Sequence, residues 1–265
     1  MKQPLRPLGF SPLISRVLAL LFLSGCSTSL TPQNNLTPLI PEEIKATYRT
    51  DQEQRRQLSS SWQIQGILDI DHEEEGRRNR IEIESRPNSS LRFRIFGPFQ
   101  QVAFHLLMDP QWLQLIKPDK REIIRVPATM AGMHYLTGYR LNPHHLYHFF
   151  MAKAAPLDGL PTLTAKGVQS TTQQGERLMI DPANGYLLER WQGASQSDSP
   201  YVGRYRWATP PLESAPPLPT ELAITLPKES MTLRFILKKW HLHPADANAP
   251  PFAIPAGFSI IDSPQ

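Results

Sequence analysis

The hydrophobic period of this chain changes near Ser61. Before that point apolar residues fall at helical spacing. Pro41 opens a helix where its missing N–H costs nothing, and Glu42 and Glu43 suit the positive N-terminal end. Ile44, Tyr48 and Leu58 form a thin apolar stripe among Gln, Glu and Arg, which predicts a surface helix over about residues 41–59. From Trp62 onward apolar and polar residues alternate. Trp62, Ile64, Leu68 and Ile70 face one way, and Gln63, Gln65 and Asp69 the other. The same alternation runs through Ile81 and Ile83, through Leu91, Phe93 and Ile95, and through Val102, Phe104, Leu106 and Met108. Such segments are half-buried antiparallel strands, separated by turn-rich breaks at residues 71–78, 86–90, 97–98 and 109–110.

Two more strands are expected at Trp112–Ile116 and Glu122–Val126. The middle is helical. Met130, Met133 and Leu136 precede Gly138, a C-terminal stop. Asn142-Pro143 then caps a second short helix with Leu146, Phe149 and Phe150 on its apolar face. Strands return at Leu163–Ser170, Glu176–Ile180, Tyr186–Gln192, Tyr201–Trp207, Glu221–Leu226 and Met231–His241, with a further candidate at Phe258–Asp262. A Pro-rich loop, Thr209 to Pro219, interrupts them. The fold expected is mainly β: a single curved antiparallel sheet of about ten or eleven strands, an unclosed β-barrel with a helical lid and an N-terminal helix. Periodicity leaves open whether the interior is filled or hollow.

Composition narrows the function. The chain carries 28 Lys+Arg and 24 Asp+Glu. Residues 1–25 hold three of those bases, Lys2, Arg6 and Arg16, and no acid, so the remainder is near neutral. Nucleic-acid binding needs concentrated positive charge, and no such partner is expected. Cys26 is the sole cysteine, so no intramolecular disulfide and no Cys-based metal site can form.

The basic start, the apolar run Val17 to Leu23 and the small residues after it make a secretory signal. Leu23-Ser24-Gly25-Cys26 resembles the lipobox of bacterial lipoproteins, in which cleavage precedes a cysteine that carries acyl chains. An uncleaved membrane helix is the alternative, but the run is far short of the roughly 20 apolar residues a bilayer requires, and Pro12 interrupts it upstream. The expected organisation is a signal over residues 1–25, a tether over 26–40 beginning at lipidated Cys26, and one domain over 41–265.

The order of motifs resembles the LolB family of outer-membrane lipoproteins, within the wider LolA/LolB-like group. It runs from the lipobox and a polar helix to Trp62-Gln-Ile-Gln-Gly66, Phe93-Arg-Ile-Phe-Gly-Pro-Phe99, Leu136-Thr-Gly138 with Leu141-Asn-Pro143, and Pro219-Thr-Glu-Leu222 with Leu233–Trp240. The resemblance spans about residues 42–243 and implies a hydrophobic cavity for acyl chains. Its expected lining is Trp62, Ile64, Phe93, Ile95, Phe104, Leu106, Met133, Phe149, Leu233 and Phe235. It implies a protruding loop, here Gly97-Pro98-Phe99-Gln100, with Phe99 at the tip where the family carries a smaller apolar residue. The role implied is that of a monomeric, non-enzymatic lipoprotein, lipid-anchored on the periplasmic face of the outer membrane. It would accept acylated lipoproteins from a LolA-like periplasmic carrier and insert them, with no cofactor. Ser27 after the cysteine is compatible with outer-membrane sorting. The competing class is a lipid-anchored scaffold without a cargo cavity.

Other chemistry is poorly supported. His144, His145 and His148 include an i, i+4 imidazole pair, a known metal spacing, but no general-base Glu lies between them and no metal site is expected. Glu82 and Glu84 beside Arg92 and Arg94 suit cross-strand ion pairing rather than paired catalytic carboxylates. Arg77, Arg78 and Arg80 suit a solvated hairpin. No Gly-x-Ser-x-Gly elbow or phosphate-binding loop is present, and no catalytic residue is assigned.

Overall fold

The computed structural model describes residues 41–58, 61–72, 75–86, 90–208, 217–243, 252–254 and 256–262. The signal segment, Cys26, the tether, most of the Pro-rich loop and part of the tail lie outside the described residues.

The first element is helix α1, Pro41–Gln57. Six strands follow as a meander: β1 (Trp62–His72), β2 (Glu75–Arg86), β3 (Ser90–Phe96), β4 (Val102–Met108), β5 (Trp112–Lys117) and β6 (Glu122–Pro127). Helices α2 (Met130–Thr137) and α3 (Pro143–Phe150) interrupt the sheet. A second meander comprises β7 (Leu157–Thr164), β8 (Gly167–Thr172), β9 (Glu176–Ile180), β10 (Leu187–Gln192), β11 (Val202–Trp207), β12 (Pro219–Leu226) and β13 (Met231–Leu242). Strand β14, Ser259–Asp262, ends the described chain. All fourteen form one curved, unclosed sheet in the order β14-β6-β5-β4-β3-β2-β1-β13-β12-β11-β10-β9-β8-β7. Sequence pattern and structure agree on the architecture, but the strand count exceeds the expected ten or eleven. The segment read as one strand over 163–170 is a hairpin of β7 and β8, turning at positive-φ Gly167. Strand β2 also begins earlier than expected, because Glu75–Arg80 extends the ladder with β1 on a solvated stretch that shows no alternation.

The seam between the meanders is the pairing of β1 with β13. It runs from Trp62↔Leu242 to His72↔Met231 and bulges where Gln65 faces Lys239 and Gly66 faces Leu237, leaving Lys238 as the extra residue. Glycine is required there by close approach. A Cβ on Gly66 would lie 2.2 Å from the Ile236 carbonyl oxygen.

Helix α1 is more than a surface helix. Ile44 and Tyr48 are buried as expected, but Asp51, Gln52 and Arg55 continue the same face and are buried too. The tail is also more than an extra strand. Strand β14 pairs in parallel with β6, the one parallel pair among the described strands, and Arg125 Nε and Nη2 donate to Asp262 at 2.7 and 3.0 Å. Phe252 and Phe258 pack on Leu107, Ile116 and Ile123. The tail therefore covers an edge and a patch that would otherwise invite aggregation.

Replacing Gly66 with Val should lower stability by about 2 kcal/mol or more, despite valine's preference for strands. Urea unfolding checks this. An unchanged midpoint would contradict the tight β1–β13 seam.

Candidate functional site

The concave face of the sheet is apolar, and α2 and α3 lie over it. Their caps explain why the chain breaks into two short helices here. The Thr129 hydroxyl accepts from Gly132 N–H at 3.1 Å to start α2, and Gly138 at φ 82° ends it. The Asn142 side chain accepts from His144 N–H at 3.1 Å, and Pro143 opens α3.

Helix α3 fills its half of the interior. Phe149 and Phe150 are completely buried. The Phe150 ring sits 5.1 Å from Phe235, 5.8 Å from Phe93 and 6.1 Å from Trp62, centroid to centroid. Trp62 in turn stacks on Tyr147 at 6.1 Å. Phe149 drops against Gly203 of β11, where any Cβ would come within 2.7 Å of the ring.

Helix α2 does not fill its half. Beneath it is a cavity of about 280 Å³. The sheet contributes Leu68, Ile70, Ile81, Phe93, Ile95, Phe104, Leu106, Leu233 and Phe235 to its wall. The lid contributes Met133, Leu136 and Thr137 from α2, Tyr139 and Leu141 from the link, and Leu146 from α3. Arg94 is the only charged residue on the wall, and its guanidinium is ion-paired with Glu82. The space is roughly twice the ~150 Å³ that keeps an engineered apolar cavity dry and lets it take up benzene. It can hold a stretch of hydrocarbon, and it offers polar ligands almost nothing.

The ten residues expected to line a cavity separate accordingly. Phe93, Ile95, Phe104, Leu106, Met133, Leu233 and Phe235 are on this wall. Trp62, Ile64 and Phe149 are not; each is fully buried in the filled half. Leu68, Ile70, Ile81 and Leu146 belong to the wall without having been singled out, although the alternation placed the first three on inward faces and Leu146 was on the apolar face of its helix.

Phe99 and Pro98 lie in the β3–β4 loop. The loop closes just beyond Ile95 and Phe104, which face each other across the ladder and both line the cavity. Gly97 N–H donates to the Gln101 carbonyl at 2.9 Å, Phe99 N–H donates to Gln101 Oε1 at 3.0 Å, and Arg80 Nη1 donates to Gln100 Oε1 at 2.8 Å. The loop is thus pinned, yet Phe99 is 89% exposed. On α2, Met130 and Tyr135 are exposed as well.

The segment after α3 is clamped by buried polar groups. Gln52 Nε2 donates to the Ala152 carbonyl at 3.1 Å, and Gln52 Oε1 accepts from Ala154 N–H at 2.8 Å. Arg55 Nη1 reaches the Met151 carbonyl at 3.3 Å, while its Nε donates to Asp51 at 2.7 Å. Arg190 Nη1 donates to the Lys153 carbonyl at 2.7 Å. No comparable clamp is formed by α2 among the described residues. No three metal-ligating side chains gather among the described residues either, and no described helix is long and apolar enough to cross a membrane.

No family model matches the sequence, and no curated protein matches it. Solved structures do match the fold. A domain from Vibrio parahaemolyticus named for outer-membrane lipoprotein sorting aligns at TM-score 0.54 and 8% identity, over 77% of this chain and 94% of that one. A DUF1329 family protein from Desulfovibrio piger aligns at 0.53 and 9% identity, over 80% and 97%. A LolA superfamily protein from Nitrosomonas europaea aligns at 0.49 and 13% identity, over 76% and 95%. At these identities the likeness is one of fold.

Truncation distinguishes the filled half from the hollow one. Phe149→Ala should cost about 3–5 kcal/mol, since it empties a packed site. Phe104→Ala should cost less than half as much, because its ring already faces empty space on one side. Equal losses in chemical denaturation would mean that the cavity closes up in solution.

Proposed function

We propose that this protein takes the acyl chains of lipoproteins into the cavity beneath α2 and delivers them to the outer membrane. It would be held there by lipidated Cys26 and supplied by a LolA-like periplasmic carrier. The single observation that carries the reading is the apolar cavity under a lid helix that no buried polar side chain clamps among the described residues. Hydrocarbon gains about 0.8 kcal/mol for each CH₂ removed from water, and a wall of Phe, Leu, Ile and Met returns much of that. A cavity of about 280 Å³ takes part of a chain, so accommodating a whole anchor requires α2 to lift while α3 stays fixed. That asymmetry suits a transfer protein, which must bind hydrocarbon and then yield it to a bilayer by differential affinity. The shared fold with a domain named for outer-membrane lipoprotein sorting is in keeping with this role, as is the signal ending at Cys26.

Phe99 is the delivery element in this reading. A pinned turn presents a single exposed aromatic ring beyond the cavity wall, where it can enter the interfacial region of a membrane or touch cargo. The reading calls for no catalytic step, since differential affinity for hydrocarbon is enough to move the cargo.

Two experiments test the proposal. Photo-crosslinking in growing cells, with benzoylphenylalanine in place of Phe104, should capture acylated lipoproteins; the same probe at outward-facing Gln63 should not. Capture of non-acylated partners alone would instead support a scaffold. Phe99→Glu should leave unfolding free energy within about 0.5 kcal/mol of the parent while lipoproteins accumulate before reaching the outer membrane. Normal sorting by this variant would remove the delivery role from the loop.

A further inference from the structure

A second pocket, of about 400 Å³, lies on the other side of α3 from the acyl cavity. Its charged and imidazole-bearing walls are His145 and His148 of α3, Lys153 beyond it, Glu176 of β9, Arg190 of β10 and Arg56 of α1. We propose that this pocket binds a phosphate-class oxyanion, either a lipid headgroup phosphate or free phosphate.

The argument begins with the one acid on the wall. Glu176 is already saturated. Its Oε1 accepts from Arg190 Nε at 2.7 Å and from the Tyr201 hydroxyl at 3.0 Å, and its Oε2 accepts from Arg190 Nη2 at 2.7 Å. Arg190 spends Nη1 on the Lys153 carbonyl. This pair is almost completely buried and neutral as a unit.

What remains is positive and underused. The Lys153 ammonium donates to the Tyr147 hydroxyl at 3.3 Å and has no carboxylate partner among the described residues. Among the described residues Arg56 pairs with Glu53, on the exposed side of α1, at 3.0 Å. His145 packs edge-on against Tyr201 at 5.5 Å, and its buried Nδ1 has no hydrogen-bond partner among the described residues. Electrostatics agree with the geometry. Burial, then Arg190, Lys153 and His145, press the His148 imidazole down to about 4, against a weaker upward pull from Glu176. Burial, then Arg55 and Arg56, lower Lys153. Lys153, His145 and His148 have no carboxylate in hydrogen-bond contact among the described residues, and a bound anion would supply that partner.

The chemistry of the anion follows from the donors. Two strong cations and two imidazoles around so wide a pocket suit several oxygens bearing at least one full charge, with room for a substituent. Charge-assisted contacts of this kind are the strong class of hydrogen bond. The site shares α3 with the acyl cavity but none of its lining residues, so it stands whether or not the lipoprotein role does.

The test uses the full chain purified in a nonionic detergent and titrated calorimetrically with inorganic phosphate at fixed ionic strength. One saturable site is expected. Lys153→Gln should weaken it about tenfold or more. Arg56→Gln, on the exposed face of α1, should weaken it several-fold with an unchanged urea midpoint, and His144→Gln, off the pocket wall, should leave it intact. Glycerophosphoglycerol as a second probe distinguishes the sources: tighter binding than phosphate assigns a lipid headgroup, and equal or weaker binding assigns free phosphate. No saturation by about 10 mM with either probe, or binding unaffected by both Lys153→Gln and Arg56→Gln, would overturn the proposal.

Discussion

A fourteen-stranded sheet presents more apolar inner surface than two eight-residue helices can cover, and this mismatch governs the rest of the structure. The sheet cannot stay flat, because each strand twists relative to its neighbour. It cannot leave its greasy face in water either. Curving over a lid is the remaining solution. Helix α3 meets the demand with rings, placing Phe149 and Phe150 at the centre of an aromatic cluster with Trp62 and Phe235. Helix α2 is too sparse to do the same, since Met133 is its one large apolar side chain that is fully inside. The cavity is what that deficit leaves.

The two helices also differ in how they are held. The chain leaving α3 is gripped by Gln52, Arg55 and Arg190, all of them buried. Buried charges are costly unless well paired, and removing one partner from such a pair typically costs about 3–5 kcal/mol. Buried polar side chains thus hold the chain after α3, and none of this kind holds α2 among the described residues. Helix α3 is thereby a partition. Leu146 faces the apolar cavity, and His145 and His148 face the polar pocket.

Much of this was legible in the sequence. Alternation through Trp62–Ile70 and Leu91–Ile95 declared half-buried strands, and Asn142-Pro143 and Gly138 marked the lid helices. Strand β7 was hidden because Gly159 and Pro161 break its pattern, and its ladder with β8 is interrupted between Asp158 and Thr162. The start of β2 was hidden because Arg77, Arg78 and Arg80 sit on a solvated ribbon with no inward face to betray it. Alternation also reports which face a residue occupies but not how far along the strand a helix covers it. For that reason Phe93 and Leu106 line the cavity, while Trp62 and Ile64 share the inward face and lie in the filled half. The buried half of α1 was invisible for a different reason: Asp51, Gln52 and Arg55 read as solvent-facing residues until their carbonyl partners after α3 are known.

The claim on which the account turns is that the space under α2 is open to hydrocarbon in solution. Intermolecular nuclear Overhauser effects between the methylene protons of added palmitate and the labelled methyl groups of the purified protein test it most directly. Cross-peaks to Ile95, Leu106 and Leu233, with none to Ile64 in the filled half, are the predicted result. An absence of cross-peaks to all four, or contacts to Ile64 as strong as to Leu106, would contradict it.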